Sequence, residues 1–91
     1  MIILKEINKI KEKVEYQTGT KVVQLTADVT DELLVVWCDL YDNNTDISYQ
    51  LNFECEIEVL TQFSNDRILR EISEALVLEW TGYATSVVTI H

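Results

Sequence analysis

Over residues 47–59 the chain alternates without a break. Ile47, Tyr49, Leu51, Phe53, Cys55, Ile57 and Val59 take one parity, and Ser48, Gln50, Asn52, Glu54, Glu56 and Glu58 take the other. Successive side chains of a β-strand point to opposite faces, so this segment is predicted to be a strand with one apolar side and one side ending in carboxylates. Such a strand must bury its apolar side, and it leaves open what the acidic side faces.

Two upstream segments share the same period. From Lys21, Val23, Leu25, Ala27 and Val29 alternate with Val22, Gln24, Thr26 and Asp28, and after VTDE comes LLVVWCDLY; DNNTD then breaks the pattern before the third strand. Two hairpins in succession predict an antiparallel meander. Before it, Ile3, Ile7, Ile10 and Val14 recur at helical spacing among Lys and Glu, which predicts an amphipathic helix over about residues 2–16, with Gly19 just past its end. After it, Ser64 is a candidate N-cap, Asp66 lies in the first turn, and Ile68, Leu69, Ile72, Ala75, Leu76 and Trp80 form a stripe running to Gly82. The β-branched TSVVTI is then expected to close the chain as a strand. The predicted order is αβββαβ. It implies an α+β fold in one domain spanning residues 1–91: a single-layer mixed sheet, made of a three-stranded antiparallel meander plus the C-terminal strand, packed on one face by two helices.

Register follows from keeping apolar residues together, because a slip of one residue exchanges the faces. A four-residue loop at residues 43–46 sets Cys38 opposite Leu51, Val36 opposite Phe53 and Leu34 opposite Cys55. A four-residue loop at residues 29–32 sets Ala27 opposite Leu34, Leu25 opposite Val36 and Val23 opposite Cys38. These residues form the inner face. Cys38 and Cys55 then lie about 13 Å apart along the strands, too far for a disulfide. The outer face has a middle row of Leu33, Val35, Trp37, Asp39 and Tyr41. It is flanked by Gln24, Thr26 and Asp28 on one side and by Gln50, Asn52, Glu54, Glu56 and Glu58 on the other. Either the last strand, a loop or a second layer covers this ridge within the chain, or Trp37 and Tyr41 anchor a protein interface; the second reading is favoured, since aromatic residues dominate interface energetics.

Charge narrows the partner. The formal net charge is −9, and it is unevenly placed: residues 1–20 carry four Lys against three Glu, while residues 21–91 carry Lys21, Arg67 and Arg70 against thirteen acids. That balance repels phosphates, so neither direct nucleic-acid binding nor docking on an anionic membrane is expected. No apolar run reaches the roughly 18 to 20 residues of a membrane span, and no signal-peptide pattern is present, so the expected location is the cytoplasm, or the host cytoplasm or virion if the protein comes from a phage.

Catalytic constellations are not found. The single His is His91, which leaves no Ser-His-Asp or Cys-His arrangement. Cys38 and Cys55 read as buried hydrophobes, with no CxxC or HxxxH spacing beside them. Asp42, Asn44 and Asp46 match the start of a calcium loop, but Ile47 and Phe53 stand where that loop needs Gly and Glu. No glycine-rich phosphate loop exists. The expectation is a non-enzyme with no cofactor and no metal.

Two functions fit. In composition alone the chain resembles small, strongly acidic inhibitors made by phages and mobile elements. On that reading Val35, Trp37, Asp39, Tyr41, Gln50, Asn52, Glu54, Glu56 and Glu58 bind a partner protein with a basic surface, such as a nucleic-acid-binding groove, in which carboxylates stand in for phosphates. The alternative is a homo-oligomeric phage-type structural subunit, for head-to-tail or tail assembly, that joins through sheet edges and the terminal strand.

Overall fold

A computed structural model describes the backbone of residues 6–89 and the side chains of residues 6–85. The elements are α1 (Ile7–Thr18), β1 (Lys21–Val29), β2 (Leu33–Asp42), β3 (Ile47–Glu56), a single helical turn α2 (Ile57–Leu60) and α3 (Asn65–Thr89). The class is α+β. Its sheet has three strands in the order β1-β2-β3, all antiparallel.

α1 forms because Ile7, Ile10 and Val14 share one stripe; Ile10 and Val14 are fully buried while Lys9, Lys11 and Glu12 stay exposed. It stops at Gly19, which takes φ 68° and donates its N–H to the Glu15 carbonyl at 2.9 Å. The left-handed conformation costs other residues roughly 1–2 kcal/mol, which is why glycine ends the helix there. Ile3, the first residue of the predicted stripe, lies outside the described residues.

The second hairpin has the predicted register: Cys38 pairs with Leu51, Val36 with Phe53 and Leu34 with Cys55. The first hairpin differs in two ways. Its loop is displaced by one residue along the chain: Val29 pairs with Leu34, and between them the Thr30 N–H donates to the Leu33 carbonyl at 2.9 Å and the Thr30 hydroxyl accepts from the Leu33 N–H at 3.0 Å. Leu25 therefore pairs with Cys38 and Ala27 with Val36, a shift of two that leaves the faces unchanged. In addition, a bulge between Val22 and Gln24 inserts Val23 as an extra residue and reverses the faces below it. Val22 is buried at 3% exposure and Val23 stands out at 64%, the reverse of the predicted inner face.

The cause lies at the end of α1. The Glu15 carboxylate accepts the Val22 N–H at 2.9 Å, and the Thr18 hydroxyl bonds both the Val14 carbonyl and the Thr20 hydroxyl at 2.7 Å. The chain is thus tied close to α1 as it enters β1, and the bulge reconciles that entry with the downstream register.

Three further expectations are corrected. β3 ends at Glu56, and residues 57–60 curl into α2; Ile57 still donates to the Glu32 carbonyl at 2.8 Å, but β2 begins at Leu33 and no strand lies beyond for pairing. Gly82 does not stop the last helix but lies inside it. The segment expected as a closing strand is helical from Thr85 to Thr89, so the sheet has no fourth or parallel strand among the described residues; Ile90 lies outside them. One interior glycine costs a helix about 1 kcal/mol, which is too little to end it just after Trp80 has packed edge-on against Tyr49, with ring centroids 6.4 Å apart.

Ser64 caps α3 as its sequence suggests, accepting the Arg67 N–H on its hydroxyl at 3.3 Å, with Asp66 in the first turn. One core joins Ile10 and Val14 of α1, Val22, Leu34, Val36, Cys38, Leu40, Tyr49 and Leu51 of the sheet, Leu60 of α2, and Ile68, Leu69, Ile72 and Leu76 of α3. α1 lies against β1 and α3, and α3 lies against β3. Burial of each large aliphatic side chain contributes about 1.5–3 kcal/mol. Both outer strands also carry a helix carboxylate on an edge amide: Glu15 on Val22, and Glu79 on Asn52 at 3.2 Å. Exposed edge amides invite pairing with other chains, and these two contacts blunt that tendency.

Candidate functional site

The strand period that buries Leu34, Val36, Cys38 and Leu40 turns the alternate residues of β2 to the opposite side of the sheet. There Trp37 is 45% exposed, and Leu33, Val35, Asp39 and Tyr41 are half-buried by their strand neighbours. The cross-strand rows are Asp28–Val35–Glu54, Thr26–Trp37–Asn52 and Gln24–Asp39–Gln50, with Lys21 and Ser48 beside Tyr41 and with Glu56 beside Leu33. Val35, Trp37, Asp39, Tyr41, Gln50, Asn52, Glu54 and Glu56 therefore share one surface.

Glu58 does not share it. It belongs to α2, so the row of carboxylates at regular strand spacing is limited to Glu54 and Glu56, about 6.8 Å apart. Glu58 instead lines a cleft of about 550 Å³ together with Asp31, Glu32, Leu33, Glu56 and Ile57. The first hairpin loop brings Asp31 and Glu32 to this end of the sheet, where β3 turns into α2. These two acids were not among the predicted site residues, although the pairing of Leu33 with Glu56 already places the loop beside the end of β3.

A second depression, of about 360 Å³, lies between Trp37, Asp39, Gln50, Leu51 and Asn52. Trp37 and Leu33 are four residues apart along β2, so the two depressions are separated by roughly 13 Å. The surface is thus a strip with an aromatic–amide hollow in the middle and a four-carboxylate cleft at one end. Lys21 lies toward the other end.

Among the described residues its acids form no ion pair. The ion pairs among the described residues are Lys9 of α1 with Glu6 just before it at 3.3 Å, and Arg67 with Glu71 of α3 at 3.8 Å, both away from this strip. The Arg67 guanidinium also stacks on Phe63 at 4.1 Å. Asp28, Asp39, Glu54 and Glu56 are left with solvent or a partner for counter-charge.

Tyr41 is the exception on the face, because its side chain is engaged. Its hydroxyl donates to the Asp46 carboxylate across the second hairpin loop, and that bond, with a smaller contribution from burial and from the charges of Asp46 and Asp42, raises the phenol above its ordinary range. Asp46 takes the left-handed conformation at φ 57°, its N–H bonds the Asp42 carbonyl at 2.8 Å, and the Asn44 N–H bonds the Asp42 carboxylate at 2.9 Å. The loop is an Asx-type turn that occupies its own acids. Among the described residues no group of three or more His, Cys, Asp or Glu side chains is arranged to hold a metal ion, and no helix is long and apolar enough to cross a membrane.

Both cysteines are free, with Cys38 buried and Cys55 half-buried. Burial, reinforced by the negative charges of Asp39 and Glu15, pushes the Cys38 thiol up to about 12 from an ordinary value of 9.0. A folded thiol that holds its proton more tightly than the unfolded one supports the fold fully below pH 9.0, and this support is lost as pH rises toward about 12. Urea melts at pH 8 and pH 10.5 are therefore expected to show wild type losing more stability over that interval than Cys38→Ala. Equal losses would contradict the burial of the thiol.

Comparison of the chain with protein-family models, curated proteins and solved structures finds no match.

Proposed function

We propose that the protein is a non-catalytic binding protein of the acidic-inhibitor kind, from a phage or mobile element, whose outer sheet face occupies a basic, nucleic-acid-binding surface of a partner protein. The observation that carries this reading is the bare face itself: Trp37 stands exposed beside carboxylates that have no cation within the described residues. A half-exposed tryptophan between polar neighbours suits an interface anchor, and the surrounding acids suit a rim that meets Lys and Arg. The cleft of Asp31, Glu32, Glu56 and Glu58 offers such a cation a concave, multiply charged seat. Opposite charge also speeds encounter.

Self-association through this face is disfavoured by the same charges, since stacking two copies would bring Asp28, Asp39, Glu54 and Glu56 against their equivalents. The alternative, a head-to-tail or tail subunit that joins through sheet edges and the terminal strand, keeps only the sheet edges as support, because residues 85–89 are helical.

Affinity capture on immobilised protein tests the reading. A partner retained by wild type, released by raised salt and by added duplex DNA, and held at least about tenfold more weakly by Trp37→Ala and by the double variant Glu54→Gln/Glu56→Gln, is the expected result. A partner that binds wild type and both variants equally would overturn it.

A further inference from the structure

We infer that the outer edge of β1 is a self-association surface, on which β1 of a second copy of this chain docks antiparallel about a two-fold axis at Ala27. This goes beyond the proposed binding face, since it uses the rim of the sheet and leaves that face open.

The ladder fixes which backbone groups are available. The Asn52 N–H turns away from β2 to reach Glu79 at 3.2 Å, so Asn52 and Trp37 are a pair without hydrogen bonds. A residue of a central strand bonds to one neighbour only, and Trp37 therefore bonds to Thr26 on its other side. The Thr30 N–H on the Leu33 carbonyl follows the same parity. Gln24, Thr26 and Asp28 thus spend their N–H and C=O groups on β2, while Leu25, Ala27 and Val29 point theirs out from the edge. Glu15 occupies this edge at Val22. Among the described residues no strand borders β1 on that side, and no group accepts the N–H of Leu25, Ala27 or Val29.

The side chains along this edge are also incompletely covered. Leu25, Ala27 and Val29 are half-buried on the inner face, at the margin of the core, and Gln24, Thr26 and Asp28 are exposed on the outer face. A bare row of amides beside a half-covered apolar row is what an added strand completes.

Charge and register select the occupant. Residues 22–30, VVQLTADVT, contain a single charged residue, Asp28. The edge of β3 instead carries Glu54 and Glu56, with Glu79 bound to its Asn52 amide. A basic strand is better served at β3, whereas a second copy of a chain with formal charge −9 meets less repulsion at β1. Antiparallel pairing about Ala27 sets Leu25 opposite Val29 of the second copy and Ala27 opposite its own equivalent, apolar against apolar on the inner face. On the outer face it sets Thr26 opposite Asp28 of the second copy. Parity is kept, the outward amides of residues 25–29 all find carbonyls, and the ladder stops before the amide that Glu15 occupies. The two-fold axis also sends the acidic β3 edges to opposite ends of the joined sheet.

The contact is short, below the about 800 Å² per partner of a standard interface, so the dimer is expected to dissociate at concentrations on the order of 10–100 µM. Sedimentation equilibrium of the full chain between about 2 and 300 µM tests this, with the weight-average mass expected to rise from 10.6 kDa toward twice that value. Ala27→Pro removes an outward N–H and no bond to β2, and should weaken association at least about tenfold. Thr26→Lys sets an ammonium opposite Asp28 of the second copy at two symmetric places, and should tighten association about fivefold at low salt; Thr26→Asp should weaken it by a similar factor. Ser48→Lys makes the same change in net charge at the far edge and should alter association by less than about twofold. Thr26 and Ser48 are exposed, so these variants should keep the wild-type circular dichroism spectrum at low concentration. A wild type that stays monomeric at about 300 µM overturns the inference. So does a dimer that Ala27→Pro leaves unchanged, or one that Thr26→Lys tightens no more than Ser48→Lys does.

Discussion

Val22→Asp is expected to lower the stability of the protein by about 3–5 kcal/mol, and Val23→Asp by no more than about 1 kcal/mol. The two valines are adjacent and chemically identical, so only the bulge distinguishes them. Val22 is 3% exposed, on the side of the sheet that carries Leu40 and the helices, and a carboxylate there would be buried with no cation near it. Val23 is 64% exposed and meets water. The larger loss is about a fifth or more of the roughly 5–15 kcal/mol that holds most domains folded. Urea denaturation of both variants measures the difference directly. If the order is reversed, strict alternation through β1 is right and the bulge is wrong.

The second large effect concerns α3. Leu76→Ala is expected to cost about 3–4 kcal/mol, because Leu76 is fully buried in the core and its removal leaves a cavity lined by fixed neighbours. Leu78→Ala, two residues on and about 200° around the helix, is expected to change stability by less than about 0.5 kcal/mol when measured at low micromolar concentration, since Leu78 is 74% exposed. Chemical denaturation of the two variants side by side reads the contrast. Similar costs at both positions would mean that α3 is rotated or that its far end is covered within the chain.

Where the sequence was informative, the reason is that pattern and burial coincided. The β2–β3 register follows from matching apolar parities across a polar four-residue loop, and the structure has it residue for residue. Gly19 and Ser64 mark helix ends because a positive φ and an unsatisfied first-turn N–H each call for a particular residue type. The failures occur where two local solutions are nearly equal. Val22 and Val23 fit either face, and the choice between them depends on the Glu15 carboxylate reaching the Val22 amide from another element. The alternation of residues 47–59 outlasts the strand, since strand ends depend on where a neighbour stops and Leu33 already begins β2. The β-branched TSVVTI has a weak preference for strand, and from Thr85 to Thr89 it instead continues the helix that precedes it.

The candidate face was legible for the same reason as the register. Eight of its nine predicted residues follow from strand parity alone, and Glu58 fails because it lies past the point where parity applies. Asp31 and Glu32 were missed because loop residues have no periodicity to place them. Their position depends on pairing, which sets Glu56 beside Leu33.

A three-stranded sheet that, among the described residues, is covered by helices on one side only has a consequence for how such a protein can change over generations. Along β2 and β3 the even and odd positions answer to different selective demands: one set must keep filling the space under α1 and α3, while the other meets only whatever comes from outside. Substitutions on the bare side disturb only cross-strand neighbours, at roughly 0.2–1 kcal/mol per pair, and leave the core untouched. A lineage built this way can therefore follow a changing target, altering one of two interleaved texts while the other stays constant.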